Sequence, residues 1–163
     1  MTNKRRLSWV VLIVLAAIAI WQWVPFSGSS VQYRNEQFRF SADLPESWRG
    51  FTVTNQPEDI YDVTGTVTTN NGVVDTFPTI RIGHPAATVA VPRQDIPVMV
   101  FTLAQWEHII AGDWSVGAAP VPPSELARND TYVFALPARY NYTFPEGFGE
   151  VEQILLTSPV RAF

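Results

Sequence analysis

Two histidines, His84 and His108, are the chain's only imidazoles and its first candidates for proton transfer or metal ligation. Neither has a second histidine four residues away, and the chain contains no cysteine. Thiolate nucleophiles, disulfides, a lipid-bearing cysteine and cysteine-based zinc sites are therefore excluded. A Ser-His-Asp set can be written from His84, Asp95 and several serines, as in most chains of this size. The Gly-x-Ser-x-Gly elbow and a glycine-rich phosphate loop ending in Lys-Ser/Thr are both absent. A hydrolase would need one histidine within hydrogen-bond reach of a serine or a carboxylate. Glu58, Asp59 and Asp62 are crowded together but lack the ligand order of a calcium loop, and read as a solvated acidic segment. No metal and no cofactor is expected.

The densest polar set beside an apolar strand is Arg93-Gln94-Asp95, with His84 before it and Arg139-Tyr140 later. His84, Arg93, Asp95, Arg139 and Tyr140 are the candidate binding residues, and no catalytic residue is assigned. One reading is a pocket for a ligand or partner. The plainer one, which the residue types favour, is an Arg93–Asp95 pair closing a loop over the sheet, since arginine suits a two-pronged carboxylate partner. Asn129-Asp130-Thr131 and Asn141-Tyr142-Thr143 match the short glycosylation acceptor pattern, which often arises by chance.

These residues must be positioned by a domain of short elements. Phe38, Phe40 and Ala42 alternate with Gln37, Arg39 and Ser41, predicting a half-buried strand. A turn follows at 44–48, then a strand at 51–54 and a polar loop at 56–62. Residues 63–69 and 73–76 flank Asn70-Asn71-Gly72, a hairpin signal. Another strand is predicted at 79–83 and a long excursion at 84–95. The continuous apolar run 97–103 predicts a central strand buried on both faces. Thr102 and Gln105 have capping-box spacing for a helix with Leu103, Trp106, Ile109 and Ile110 inward and Gly112 at its end. Short strands are expected at 116–118, 125–128 and 132–136. Tyr140, Tyr142 and Phe144 alternate with polar residues, and a helix over 148–156 buries Phe148, Val151, Ile154 and Leu155. Glu146 and Glu150 suit the positive end of that helix. With no β-α-β alternation, the reading is α+β, an antiparallel sheet with helices on one side.

Ahead of this domain stands an 18-residue apolar run at 7–24, broken only by Ser8 and Gln22. As a helix it measures about 27 Å, close to the ~30 Å hydrocarbon core. Trp9 stands at one end and Trp21 and Trp23 at the other, as in an interfacial aromatic belt. Lys4, Arg5 and Arg6 are expected to stay in the cytoplasm, with residues 1–6 inside, 7–24 spanning, 25–32 a linker and 33–163 outside. The alternative is a cleaved signal, with Ala17-Ile18-Ala19 as the small-residue site and secretion as the outcome. Downstream of the run, eight arginines face fifteen acids, a net charge of −7. That acidity argues against nucleic acid as a partner and against electrostatic docking on anionic lipid. The chain is 47% hydrophobic and 16% charged, which excludes disorder driven by charge.

Tyr33, Phe38-Arg39-Phe40-Ser41, Leu44-Pro45 and Trp48, with the strand at 132–136 and the closing helix, resemble the PsbP-like superfamily. The resemblance spans about residues 33–163. It implies a curved antiparallel sheet with flanking helices, used for binding or assembly. The chain also resembles bacterial proteins with one N-terminal membrane helix. The motif concerns packing, so it transfers no functional residue. The combined expectation is a membrane-tethered, non-enzymatic binding or assembly module, with the membrane and another envelope protein as partners. A domain binding a wall saccharide or peptide is the alternative, and an envelope hydrolase the third reading.

Overall fold

The computed structural model describes residues 29–68, 70–117 and 121–163. Among these residues, nine strands and two α-helices follow in order: β1 (Ser30–Asn35), β2 (Phe40–Pro45), β3 (Thr52–Asp62), β4 (Val73–Gly83), β5 (Ile96–Thr102), α1 (Leu103–Ala111), β6 (Trp114–Val116), β7 (Ser124–Arg128), β8 (Tyr132–Leu136), α2 (Phe148–Leu156) and β9 (Val160–Ala162). A six-stranded sheet runs β6-β3-β4-β5-β8-β7, and a three-stranded sheet runs β1-β2-β9, with every neighbouring pair antiparallel. β9 also lies beside β7, so the two sheets meet and the whole curls. The class is α+β: a curled antiparallel sheet with two short helices.

β5 occupies the place its sequence predicts. It lies between β4 and β8, with residues 96–101 buried. Ile96, Val98 and Val100 point to one side, where Phe40, Leu44, Trp48, Phe134 and α2's Val151 and Ile154 complete a core. Met99 and Phe101 point to the other, where Ile60, Phe77, Trp106 and Ile109 form a second. The expected single helical side is thus corrected, because a strand apolar on both faces needs cover on both. α1 has the expected capping box. Thr102 Oγ1 accepts from Gln105 N, the Gln105 side chain answers to Thr102 N, and left-handed Gly112 ends the helix. Its inward stripe differs in one position. Ile110 is more than half exposed, while Gln105 is buried and donates to Asp75 Oδ2 (2.7 Å) and Thr76 O (3.1 Å).

Other departures have local causes. β1 begins at Ser30, so residues 30–32 of the expected linker belong to a strand whose Val31 and Tyr33 pack on the core. β2 begins only at Phe40, after a turn in which Arg39 takes φ 60°, and it is buried on both faces between β1 and β9. Residues 56–62 are strand, not loop. Most of β3 is exposed because, beyond its pairing with β4, only residues 60–62 gain a second neighbour in β6. Pro57 faces Pro78 where each strand has an open edge, so neither missing N–H breaks a ladder. In place of the strand expected at 63–69, residues 63–68 are a coil wound round one carboxylate. Asp62 accepts from Thr64 N, Val67 N and the hydroxyls of Thr64 and Thr66, and these bonds hold its carboxyl well below the usual range. Asn71 and Gly72 are left-handed as the chain enters β4, which runs unbroken through both strands predicted at 73–76 and 79–83. The short strand expected at 116–118 lies earlier, at β6.

Among the described residues no helix is long and apolar enough to cross a membrane, and the run at 7–24 that carries the anchor expectation lies outside them.

Candidate functional site

The 84–95 loop leaves β4 at Gly83 and returns at the start of β5. Its second end is clamped against the start of α2. Gln94 N donates to Glu146 O at 2.8 Å, and the Arg93 guanidinium pairs with the Glu146 carboxylate and lies 3.7 Å from Glu150 Oε2. Glu150 also accepts from Ser47 Oγ (2.9 Å) and Trp48 Nε1 (3.2 Å). The Trp48 ring meets the His84 ring edge-on at 5.1 Å. His84, Arg93, Glu146, Glu150, Ser47 and Trp48 therefore form one cluster at the N-terminus of α2.

Asp95 is elsewhere. It accepts from Arg81 Nη1 at 3.1 Å, and Arg81 also meets Glu58 at 3.4 Å. The expected Arg93–Asp95 pair is thus replaced by two pairs, Arg93 with Glu146 and Asp95 with Arg81, each partner brought in from another part of the chain. Tyr140 joins through its backbone, where its carbonyl accepts from the buried Gln94 side chain at 3.1 Å. Burial, then the nearby Glu152 carboxylate, push its phenol upward. The aromatic alternation at 140–144 is not a strand. Successive turns bring Tyr140 N to Pro137 O, Tyr142 N to Arg139 O and Phe144 N to Asn141 O. They leave Tyr142 and Phe144 mostly exposed. Arg139 lies 5.7 Å over the Tyr142 ring, away from the His84 cluster.

The two imidazoles differ. His84 Nδ1 accepts from Ala86 N at 3.0 Å, so the proton sits on Nε2, which is 3.9 Å from Glu150 Oε2 and beyond hydrogen-bond reach. With its lone pair engaged, this ring orders a turn and has no free base nitrogen. Exposed His108 does reach a carboxylate, Asp113 Oδ2 at 3.1 Å, and stacks on Trp114 at 4.3 Å. Neither ring is hydrogen-bonded to a serine hydroxyl among the described residues, and no group of three or more metal-ligating acids or histidines converges there. Both acceptor-pattern asparagines are engaged. Asn129 bonds Phe38 O, Arg39 O, Thr131 N and Tyr132 N, and Asn141 bonds Glu152.

Burial lowers the His84 pKa first and Arg93 lowers it further, against opposing pulls from Glu150 and Glu146. The unfolded chain then binds a proton that the folded chain resists. Stability is unaffected by this group above about pH 6.5 and declines as pH falls from there towards the lower folded value. His84→Asn keeps an acceptor for Ala86 N and removes the titration. Urea unfolding at pH 7.5 and pH 5.5 should show a smaller acid loss in His84→Asn than in the native chain. An equal loss would show that His84 carries none of it.

A separate cleft of about 310 Å³ opens on the α1 side of the sheet. Met99, Val116, Val121, Pro123 and Pro137 form its apolar walls, and Arg139, Tyr142 and Glu58 supply its polar groups. That volume lies at the small end of ligand clefts. Of the five candidates, only Arg139 borders it. Glu146, Glu150, Ser47 and Trp48 were missed as partners of His84 and Arg93, although the Glu pair was legible as a helix start. Comparison with family models, curated proteins and solved structures finds no match to this chain.

Proposed function

We propose that this chain is a membrane-tethered, extracytoplasmic binding or assembly module without catalytic turnover, and that it grips a segment of another envelope protein in the cleft beside Tyr142. The observation that carries the reading is a largely exposed tyrosine under an arginine at the rim of an apolar cleft. Exposed aromatics beside arginine are the residue types most enriched where proteins bind one another. The apolar run at 7–24 with its basic flank supplies the tether, and the domain outside follows from the charge asymmetry. The curled antiparallel sheet is compatible with a PsbP-like domain, and the proposal takes the fold as one. The His84 cluster serves as a brace, since Ser47, Trp48 and Arg93 are turned on its two glutamates and His84 on its own loop.

A photoreactive phenylalanine analogue at position 142, in intact producing cells, should trap one discrete protein. Arg139→Glu in the same chain should abolish the product, and a probe at Glu107 on α1 should not form it. Equal products from both positions, or none from 142 in a folded chain, would overturn the reading. Arg139 beside an exposed ring also suits a saccharide or short peptide, the second reading. A rise in melting temperature with a wall fragment, lost in Tyr142→Ala, would favour that one.

A further inference from the structure

The 84–95 loop carries a tip that the brace does not use. Residues 85–92 read Pro-Ala-Ala-Thr-Val-Ala-Val-Pro, with no charge, and all eight are exposed. Val89 is completely exposed and Val91 about half. The tip is nonetheless ordered by its own bonds. Ala87 N donates to His84 O, Thr88 N to Val91 O and Val91 N to Thr88 Oγ1, each near 3.0 Å. Two tight turns thus hold an apolar wedge away from the domain, at a cost that burial elsewhere would offset.

The fold also fixes where this wedge lies. Ser30, the first residue of β1, pairs with Pro45 at the end of β2. From there the 3-10 turn Glu46–Trp48 leads to β3, whose Thr52 pairs with Gly83 at the loop's root. The Trp48 ring meets His84, and a Cβ on Gly50 would lie 3.8 Å from Pro85 Cβ. Ser30 and Glu150 line one cavity. The chain therefore enters the domain at the same end from which the wedge projects. Between Val24, the last residue of the apolar run, and Ser30, the chain spans at most roughly 20 Å.

We infer that the 85–92 loop is a second membrane contact, its valines and alanines seated in the bilayer interface beside the tether. The inference rests on the tethered reading and adds an orientation to it: the β1-entry end of the domain faces the lipid. An uncharged wedge enters by burial of apolar area and needs no basic patch, which fits an otherwise acidic domain. Insertion also fixes how the cleft beside Tyr142 is presented to partners.

The chain has no cysteine, so one introduced thiol is unique. Ala90→Cys at the wedge and Gln37→Cys at the exposed β1–β2 turn, one strand length from Ser30, each receive an environment-sensitive fluorophore in the full chain. Each is reconstituted in phosphatidylcholine vesicles with or without a lipid bearing a shallow nitroxide. Flotation after a carbonate wash reads the tether separately. The expected result is flotation of both, with emission at position 90 blue-shifted and lost to the nitroxide, and emission at 37 unchanged. Val89→Asp with Val91→Asp should restore the emission at 90. Flotation with no quenching at 90 overturns the wedge and leaves the tether standing. Oxidative joining of two unlabelled chains through the free thiol at position 90 would show a second copy on the wedge, and overturns it too. Loss of flotation removes the tethered reading and the wedge with it.

Discussion

Trp48→Ala should lower the unfolding free energy of the full chain by about 3–5 kcal/mol, the usual cost of emptying a buried tryptophan site. Trp48 is completely buried, between the sheets and α2, beside Leu44, Ile82 and Val151. The ring fills volume that truncation would leave as a cavity in this packed core. Its indole N–H also donates to Glu150, so truncation leaves that carboxylate with Ser47 and the more distant Arg93. Trp48→Phe separates the two effects. It keeps most of the volume and loses the donor, and should cost about 1–2 kcal/mol. Urea denaturation followed by far-UV circular dichroism measures both. A loss below about 1 kcal/mol for Trp48→Ala would mean the ring is not the keystone of that core.

Gly147→Val is the second large effect, at about 2–3 kcal/mol. Gly147 caps α2 with φ +83°, a conformation that a β-branched residue resists. A Cβ there would also lie 3.3 Å from Arg93 Nη2 and 3.5 Å from Nε. The glycine therefore does two things. It lets the chain turn into the helix, and it leaves room for the guanidinium that clamps the 84–95 loop. The two parts separate in a double-mutant cycle with Arg93→Ala. In that background the contact part is gone, and Gly147→Val should cost only the ~1–2 kcal/mol of the left-handed backbone. Strict additivity of the two substitutions would show that Arg93 does not lean on this glycine. The clamp bears on function because it sets the root of the apolar loop.

Much of the frame was legible before any coordinates. The run 97–103 announced a strand buried on both faces, because it carries Val98 and Val100 on one side and Met99 and Phe101 on the other. Thr102 and Gln105 announced the start of α1 and Gly112 its end, since those side chains act within one turn of the backbone they cap. The hairpin of β7 and β8 around Asn129-Asp130 and the helix at 148–156 were legible for the same reason. The strand at 56–62 was not. Its residues are polar because one edge and much of one face are open to water, and that pattern looks like a loop. The coil after Asp62 was missed because a carboxylate's choice of backbone donors outweighed the β-branched composition around it.

The polar cluster divides along the same line. His84, Arg93, Asp95, Arg139 and Tyr140 were visible as a set, but sequence proximity assigned their partners wrongly. Arg93 reaches 53 residues to Glu146, and Trp48 reaches 102 to Glu150. By itself the sequence determined what acts over one turn or one strand: the periodicities, the caps, the acidic balance and an apolar run of membrane length. Only the tertiary structure decided which arginine meets which acid, that His84 spends its lone pair on a turn, and that loop 85–92 projects from the end where the chain enters. The reason is range. Capping and burial patterns are local forces written into adjacent residues, whereas ion pairs and exposed apolar tips depend on distances that exist only once the sheet has curled.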